Sequence, residues 1–218
     1  MNIKNLKQLQ NNKIRIFELS KNFFCVRFID SNKERFELEF NLEKGTSFNT
    51  FIIHEEEELI IVHPPEKIYA ESINYITKYF VKEFNLKQIK IIAGHINPKI
   101  IETIKTIAKE FSEISIICSN PCYKLIHELW NQRKPDANDS NEITIPDITC
   151  IKKDYDYAIQ TISLNLIPAP TARWPGGLLV YEKTSEILLS EKIFSCHIAT
   201  EEWSENHRAS TETDRKYF

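Results

Sequence analysis

The chain has 218 residues, 42% of them hydrophobic and 27% charged, with 13 Phe and a net charge of −3. That is enough apolar material for one domain with a sizeable core. No apolar run reaches the roughly 18 residues of a membrane helix. Met1–Gln10 carries no signal-peptide pattern, and the basic residues form no stripe, so neither a membrane span nor a nucleic-acid interface is expected.

The first third has strand character. IRIFEL, FFCVRFI, the cleanly alternating RFELEF, SFNTFIIH and LIIVHPP are short runs rich in Phe, Ile and Val, separated by turn residues. The acidic run His54–Glu58 lies between two such runs and reads as a solvated hairpin tip. After Pro64 and Pro65 the period changes. Ile68, Ile73, Ile76, Phe80 and Phe84 recur at helical spacing over residues 66–84. QIKIIAG then predicts a buried strand, PKIIETIKTIAKEF a helix opened by Pro98, SIICSN a strand, and PCYKLIHELWNQ a helix opened by Pro121. Arg133–Glu142 is polar and predicts a loop. AIQTISLNLIPAP and GLLVYEKTSEILLSEKIF return to β-structure, the second as a hairpin turning near Lys183–Ser185. The tail from Thr200 is highly charged, with a helical pattern opening near Thr213. Strands, then strand–helix alternation, then strands again predict an α/β (α+β) fold, an αββα sandwich of two sheets with helices outside.

Most familiar site chemistry is excluded. The glycines are Gly45, Gly94, Gly176 and Gly177, too few and too scattered for a dinucleotide fingerprint or a phosphate loop. His127-Glu128-Leu129-Trp130-Asn131 has Asn where a helical zinc motif needs its second His. No Ser sits in a Gly-flanked elbow. The five cysteines, Cys25, Cys118, Cys122, Cys150 and Cys196, are odd in number and dispersed, which predicts free thiols in a reducing compartment. Three stretches remain, each at or just after a predicted strand end: AGHINPKI at 93–100, ARWPGG at 172–177 and LLSEKIFSCH at 188–197. Taken singly, Lys99, Arg173 and Lys192 are surface cations and His95 a structural imidazole.

Taken together, the three stretches resemble the metallo-β-lactamase-like domain of the flavodiiron proteins, in the diflavin type of oxygenic phototrophs. The likeness runs from about Phe36 onward, through RFELEFNLEKGTSFNTFII and IPAPTARWPGGLLVYEKTSEILLSEKIFSCH. In that family a strand ends in His-x-Glu-x-Asp-His, a later His precedes Trp-Pro, and an Asp stands two residues before a Phe. Here the matching positions hold His95, Asn97, Lys99 and Ile100, then Arg173, then Lys192. The family's last His falls beyond Phe218.

The resemblance implies a metallo-β-lactamase-like sandwich spanning residues 1–218 as a single partial domain, incomplete at its C-terminus, with no flavodoxin-like or flavin reductase part. The family passes electrons from NAD(P)H through FMN to a diiron centre that reduces O2 to water. A diiron pair carries about four positive charges and needs carboxylates and neutral imidazoles. Three cations at ligand positions would repel it. The expectation is therefore a cytoplasmic, ligand-depleted subunit or remnant with no catalytic residue, metal or cofactor of its own. It would act as a homo- or hetero-oligomer with a related flavodiiron subunit. The alternatives are a non-enzymatic domain for dimerisation or anion binding, and a lactamase-fold hydrolase.

Overall fold

The computed structural model describes residues 9–11, 13–32, 35–36, 39–40, 45–132, 143–193, 197, 199 and 201. Residues 133–142 and nearly all of the tail, with the expectations attached to them, lie outside this set. The chain divides into two compact units, Met1–Thr50 with Ser195–Phe218, and Phe51–Phe194.

In the first unit, β1 (Ile14–Ser20) and β2 (Phe23–Asp30) form an antiparallel hairpin with a register shift between Glu18 and Ser20. Phe23, Phe24, Cys25, Val26 and Phe28 of β2 are essentially inaccessible. RFELEF is not one strand. Arg35–Phe36 (β3) pairs antiparallel with Glu39–Phe40 (β4), so the alternating run folds back on itself. Alternation alone does not distinguish a strand from two short arms of a tight turn.

In the second unit, β5 (Thr46–Glu55, entering from the first unit), β6 (Glu58–Val62), β7 (Gln88–Ala93), β8 (Ile114–Ser119) and β9 (Asp147–Ile151) lie side by side in that order. β5 and β6 are antiparallel, and the pairs from β6 to β9 are parallel. A second, antiparallel sheet runs β10 (Tyr155–Ile159), β11 (Ile162–Pro168), β12 (Leu178–Glu182), β13 (Ile187–Leu189). The expected run AIQTISLNLIPAP is thus broken at Gln160 and Thr161 into two strands of a hairpin, with Gln160 at φ 40.

The helices follow the parallel strands. Glu66 precedes a short 3-10 turn, Lys67–Tyr69, which leads into α1 (Ala70–Phe84), ended by Asn85 in the left-handed conformation. α2 (Pro98–Ala108) and α3 (Asn120–Trp130) both carry Pro in the first turn, where its missing N–H is no loss. Neighbouring residues of β5 fix the layer order. The His54 ring stacks on Phe84 of α1 at 3.9 Å, while Glu55, facing the other way, accepts from Thr161 N at 3.1 Å and Ile162 N at 3.0 Å of the second sheet. The unit is therefore layered helix, sheet, sheet. No helix among the described residues is long and apolar enough to cross a membrane.

The acidic run is a hairpin tip, solvated at Glu56 and Glu57 as expected, but its flanking carboxylates Glu55 and Glu58 are turned into the protein. Glu55 is only 8% exposed and also accepts from Thr161 Oγ1. Tyr157 donates its hydroxyl to Glu58 at 2.5 Å, Lys90 Nζ lies 2.9 Å from the same hydroxyl, and Gln160 and Lys87 hold Glu56 and Glu57. Strand period gives the hairpin; only the opposing sheet reveals its partners.

Candidate functional site

The parallel strands β6, β7 and β8 end together, and their C-terminal ends carry the three stretches. β6 runs into His63, whose backbone is left-handed (φ 55) and whose N–H donates to Ile92 O at 3.0 Å. β7 runs into Gly94 and His95. Asn97 is the N-cap of α2: its extended backbone (φ −143, ψ 170) lets Oδ1 accept from Ile100 N at 2.9 Å, a contact worth about 1 kcal/mol of helix stability. Ile100 is 2% exposed and belongs to the core. Lys99 is exposed and meets the buried Glu66 carboxylate across 3.6 Å.

Trp174 is the centre of the remaining cluster. The Arg173 guanidinium lies 5.0 Å and the Lys192 ammonium 5.3 Å from its ring centroid, both within cation–π range. The His95 imidazole meets the same ring edge-on, centroids 4.6 Å apart. The loop carrying Trp174 is tied by Thr171, whose Oγ1 accepts from Trp174 N at 3.0 Å. It is anchored to the first sheet through Gly176, whose carbonyl accepts from Ser119 Oγ at 2.9 Å. A methyl on Gly176 would stand 2.3 Å from Cys122 Sγ, so any side chain here must displace that thiol. Cys122 in turn donates its thiol to Gly94 O.

Glu191 completes the cluster and had no part in the sequence reading. It holds a left-handed backbone (φ 53), and its Oε1 accepts the His95 N–H at 2.7 Å. Its other oxygen lies against Gly94, where an added methyl would stand 2.6 Å away. The one available signal was its place beside Lys192, since a residue after a strand end can turn either neighbour inward. His63 and Trp174 were missed as well, the first because only its burial beside Gly94 distinguishes it.

The electrostatics follow from this geometry. Burial, then the Lys192 charge, push the His95 imidazole down to about 4, with Glu66 pulling the other way. Burial lowers His63 to about 4, offset by its hydrogen bond to the Leu189 backbone and aided by Lys192. Both rings are neutral at pH 7. Burial raises the Cys122 thiol to about 12, so it is no nucleophile at neutral pH. Of the six expected positions, His95, Arg173 and Lys192 gather at Trp174, Lys99 sits outward on Glu66, and Asn97 and Ile100 serve helix α2.

A family model described as ODP family beta lactamase matches residues 46–216. Diflavin flavoprotein A 5 of Nostoc sp. strain PCC 7120 is 28% identical over 209 residues, covering 94% of this chain and 34% of that protein. Diflavin flavoprotein A 3 of Synechocystis sp. is 26% identical over 187 residues, covering 84% and 29%. The chain spans about a third of the length of these curated relatives. The crystal structure of a fragment of the Nostoc A 5 protein superposes with a TM-score of 0.76 at 25% identity, covering 94% of this chain and 76% of the fragment. The flavodiiron protein of Giardia intestinalis gives 0.71 at 18% identity, covering 91% and 45%, a likeness of fold.

Proposed function

The chain belongs to the ODP family of β-lactamase-like domains, the metallo-β-lactamase-like domain of flavodiiron proteins, and from that premise we propose that it works within an oxygen-reducing diflavin flavoprotein system without holding iron itself. The positions that carry iron ligands in the family correspond, in this reading, to His95, Asn97, Lys99, Ile100, Arg173 and Lys192. Electron transfer from NAD(P)H through FMN to O2 then belongs to a complete partner subunit, with which this chain forms a homo- or hetero-oligomer.

The observation that carries the reading is the pair of cations on Trp174. A diiron centre needs anionic oxygens and neutral imidazoles at these places. Arg173 and Lys192 bring positive charge instead, and the Lys192 charge acts on both His63 and His95. The Asn97 amide is engaged as a cap and Ile100 offers no donor atom. Among the described residues no group of three or more His, Cys, Asp or Glu is arranged to hold a metal ion. The residues do not fit the family's diiron pair. Elemental analysis after anaerobic incubation with ferrous iron tests this: the folded chain is expected to retain no more iron than a metal-free control, and two irons per chain would overturn the proposal.

A second reading, a non-enzymatic domain that binds an anion, draws on the same two cations. Sulfate and phosphate titrations followed by tryptophan fluorescence decide it, with Trp174→Phe as the control that removes the contribution of Trp174 from that of the other two indoles. Saturable quenching that is lost in Arg173→Ala supports the anion pocket; an unchanged signal removes it.

A further inference from the structure

Cys118, near the end of β8, and Cys150, near the end of β9, are register partners on adjacent parallel strands. Register partners project to the same face of a sheet, and neighbouring strands lie about 4.8 Å apart, inside the Cα separation of about 4.4–6.8 Å that a disulfide spans. Cys118 is fully buried, while Cys150 is half-buried on β9, the last strand of its sheet among the described residues. The Cys150 thiol donates to Asn120 Oδ1 at 3.7 Å, which places it against the chain two residues beyond Cys118. Cys122 is engaged elsewhere, on the carbonyl of Gly94.

We propose that Cys118 and Cys150 are a modification site, a dithiol that a peroxide closes reversibly to a disulfide. Cys150, the more accessible sulfur, attacks the peroxide oxygen; the O–O bond breaks, leaving Cys150 sulfenic acid and one water. The Cys118 sulfur then attacks the Cys150 sulfur. The S–S bond forms as the S–O bond breaks, and the hydroxide leaves with the Cys118 proton as a second water. Two thiols are oxidised and one hydrogen peroxide is reduced to two waters. Cys150 takes the first step because it is the accessible sulfur; Cys118, buried and held protonated, is no free nucleophile and reacts only with the sulfenic sulfur set beside it, its proton passing to the departing hydroxide. At about 4.8 Å, register partners on neighbouring strands sit closer than the roughly 5.5–6 Å Cα separation that most disulfides adopt, and a bridge under that strain is readily reducible. Its closing braces β8 next to Ser119, the residue that anchors the Gly176 loop.

The test is a peptide map of the intact chain after hydrogen peroxide, alkylation of remaining thiols and proteolysis without reductant. The expected result is a linked peptide pair containing Cys118 and Cys150, lighter by two hydrogens and separated by dithiothreitol. Full alkylation of both residues, over-oxidation of Cys150 beside an alkylated Cys118, or a bridge between any other two cysteines overturns the proposal. In Cys118→Ser the linked pair is expected to vanish and Cys150 to be trapped as sulfenic acid by dimedone; a Cys150 that stays an unmodified thiol there counts against it. The map of the unaltered chain stands even if this variant folds poorly.

Discussion

Lowering the pH from 7.5 to 5 should destabilise this protein steeply, through histidines rather than carboxylates. His54 and His63 are 5% and 3% exposed, and burial pushes both imidazoles from 6.5 to about 4; the neighbouring Glu55 carboxylate partly opposes this at His54. In the unfolded chain each ring takes up a proton below 6.5, while in the native state it stays neutral until about 4. The unfolded state therefore binds more protons in that window. Stability is fully present above 6.5, falls as the pH drops toward 4, and changes no further below it. At pH 5 each ring has forfeited about 2 kcal/mol, out of about 3 kcal/mol for the whole shift. His95, lowered to about 4 as well, adds a third ring, and three rings give about 6 kcal/mol, a large part of the 5–15 kcal/mol typical of a domain. With a urea dependence of about 2 kcal/mol per molar, the unfolding midpoint should move down by about 3 M between pH 7.5 and 5. The window stops at pH 5 because carboxylates begin to titrate just below it. Urea titrations at half-unit pH steps, with His54→Phe alongside, provide the assay. The variant should lose about a third of the slope. A midpoint that shifts by less than about 0.5 M, or a variant with the full slope, would refute the argument.

Removing the Glu55 carboxylate as Glu55→Ala leaves the part-buried N–H of Thr161 and the buried N–H of Ile162 without their acceptor; a loss of about 1–3 kcal/mol in urea unfolding is expected, and a loss within error would show that water replaces it. Gly176→Ala should cost about 1–3 kcal/mol through overlap with Cys122 Sγ, and Cys122→Ala in the same chain should recover part of that, as thermal melts of the four-member cycle would show. Exchanging Asn97→Glu, Lys99→Asp, Arg173→His and Lys192→Asp together should let the chain take up ferrous iron that the unaltered chain does not. Continued failure, in a variant with an unchanged circular dichroism spectrum, would show that these four positions do not present a metal-binding geometry.

Much of the fold was legible because its signals are local. The 3.6-residue spacing of Ile73, Ile76 and Phe80 marks α1, and Pro98 and Pro121 mark the first turns of α2 and α3. Elements whose definition depends on a distant partner were not. β9 is only five residues long and largely unburied, and it exists by pairing with β8. RFELEF alternates as a strand should, yet closes on itself. At the site, the sequence located the loops and their charges, and the structure brings His95, Arg173 and Lys192 to one indole. It could not separate Glu191 from Lys192, because one residue's φ decides which side chain turns toward Gly94. Nor could it tell that Asn97 caps a helix, a role that any ligand at that position would have to give up.

The carboxylates at the β5–β6 turn have a further consequence. They fasten the two sheets at the start of β6, whereas His63 and the loops around Trp174 lie beyond its other end, about 16 Å away at the rise of an extended strand. Cohesion and chemistry are thus lodged at opposite poles of the same strand. Substitutions at the His63 pole can accumulate, even reversing the sign of its charges, while the Glu55 pole keeps the architecture intact. A scaffold divided in this way lets one end of a strand change without loosening the other.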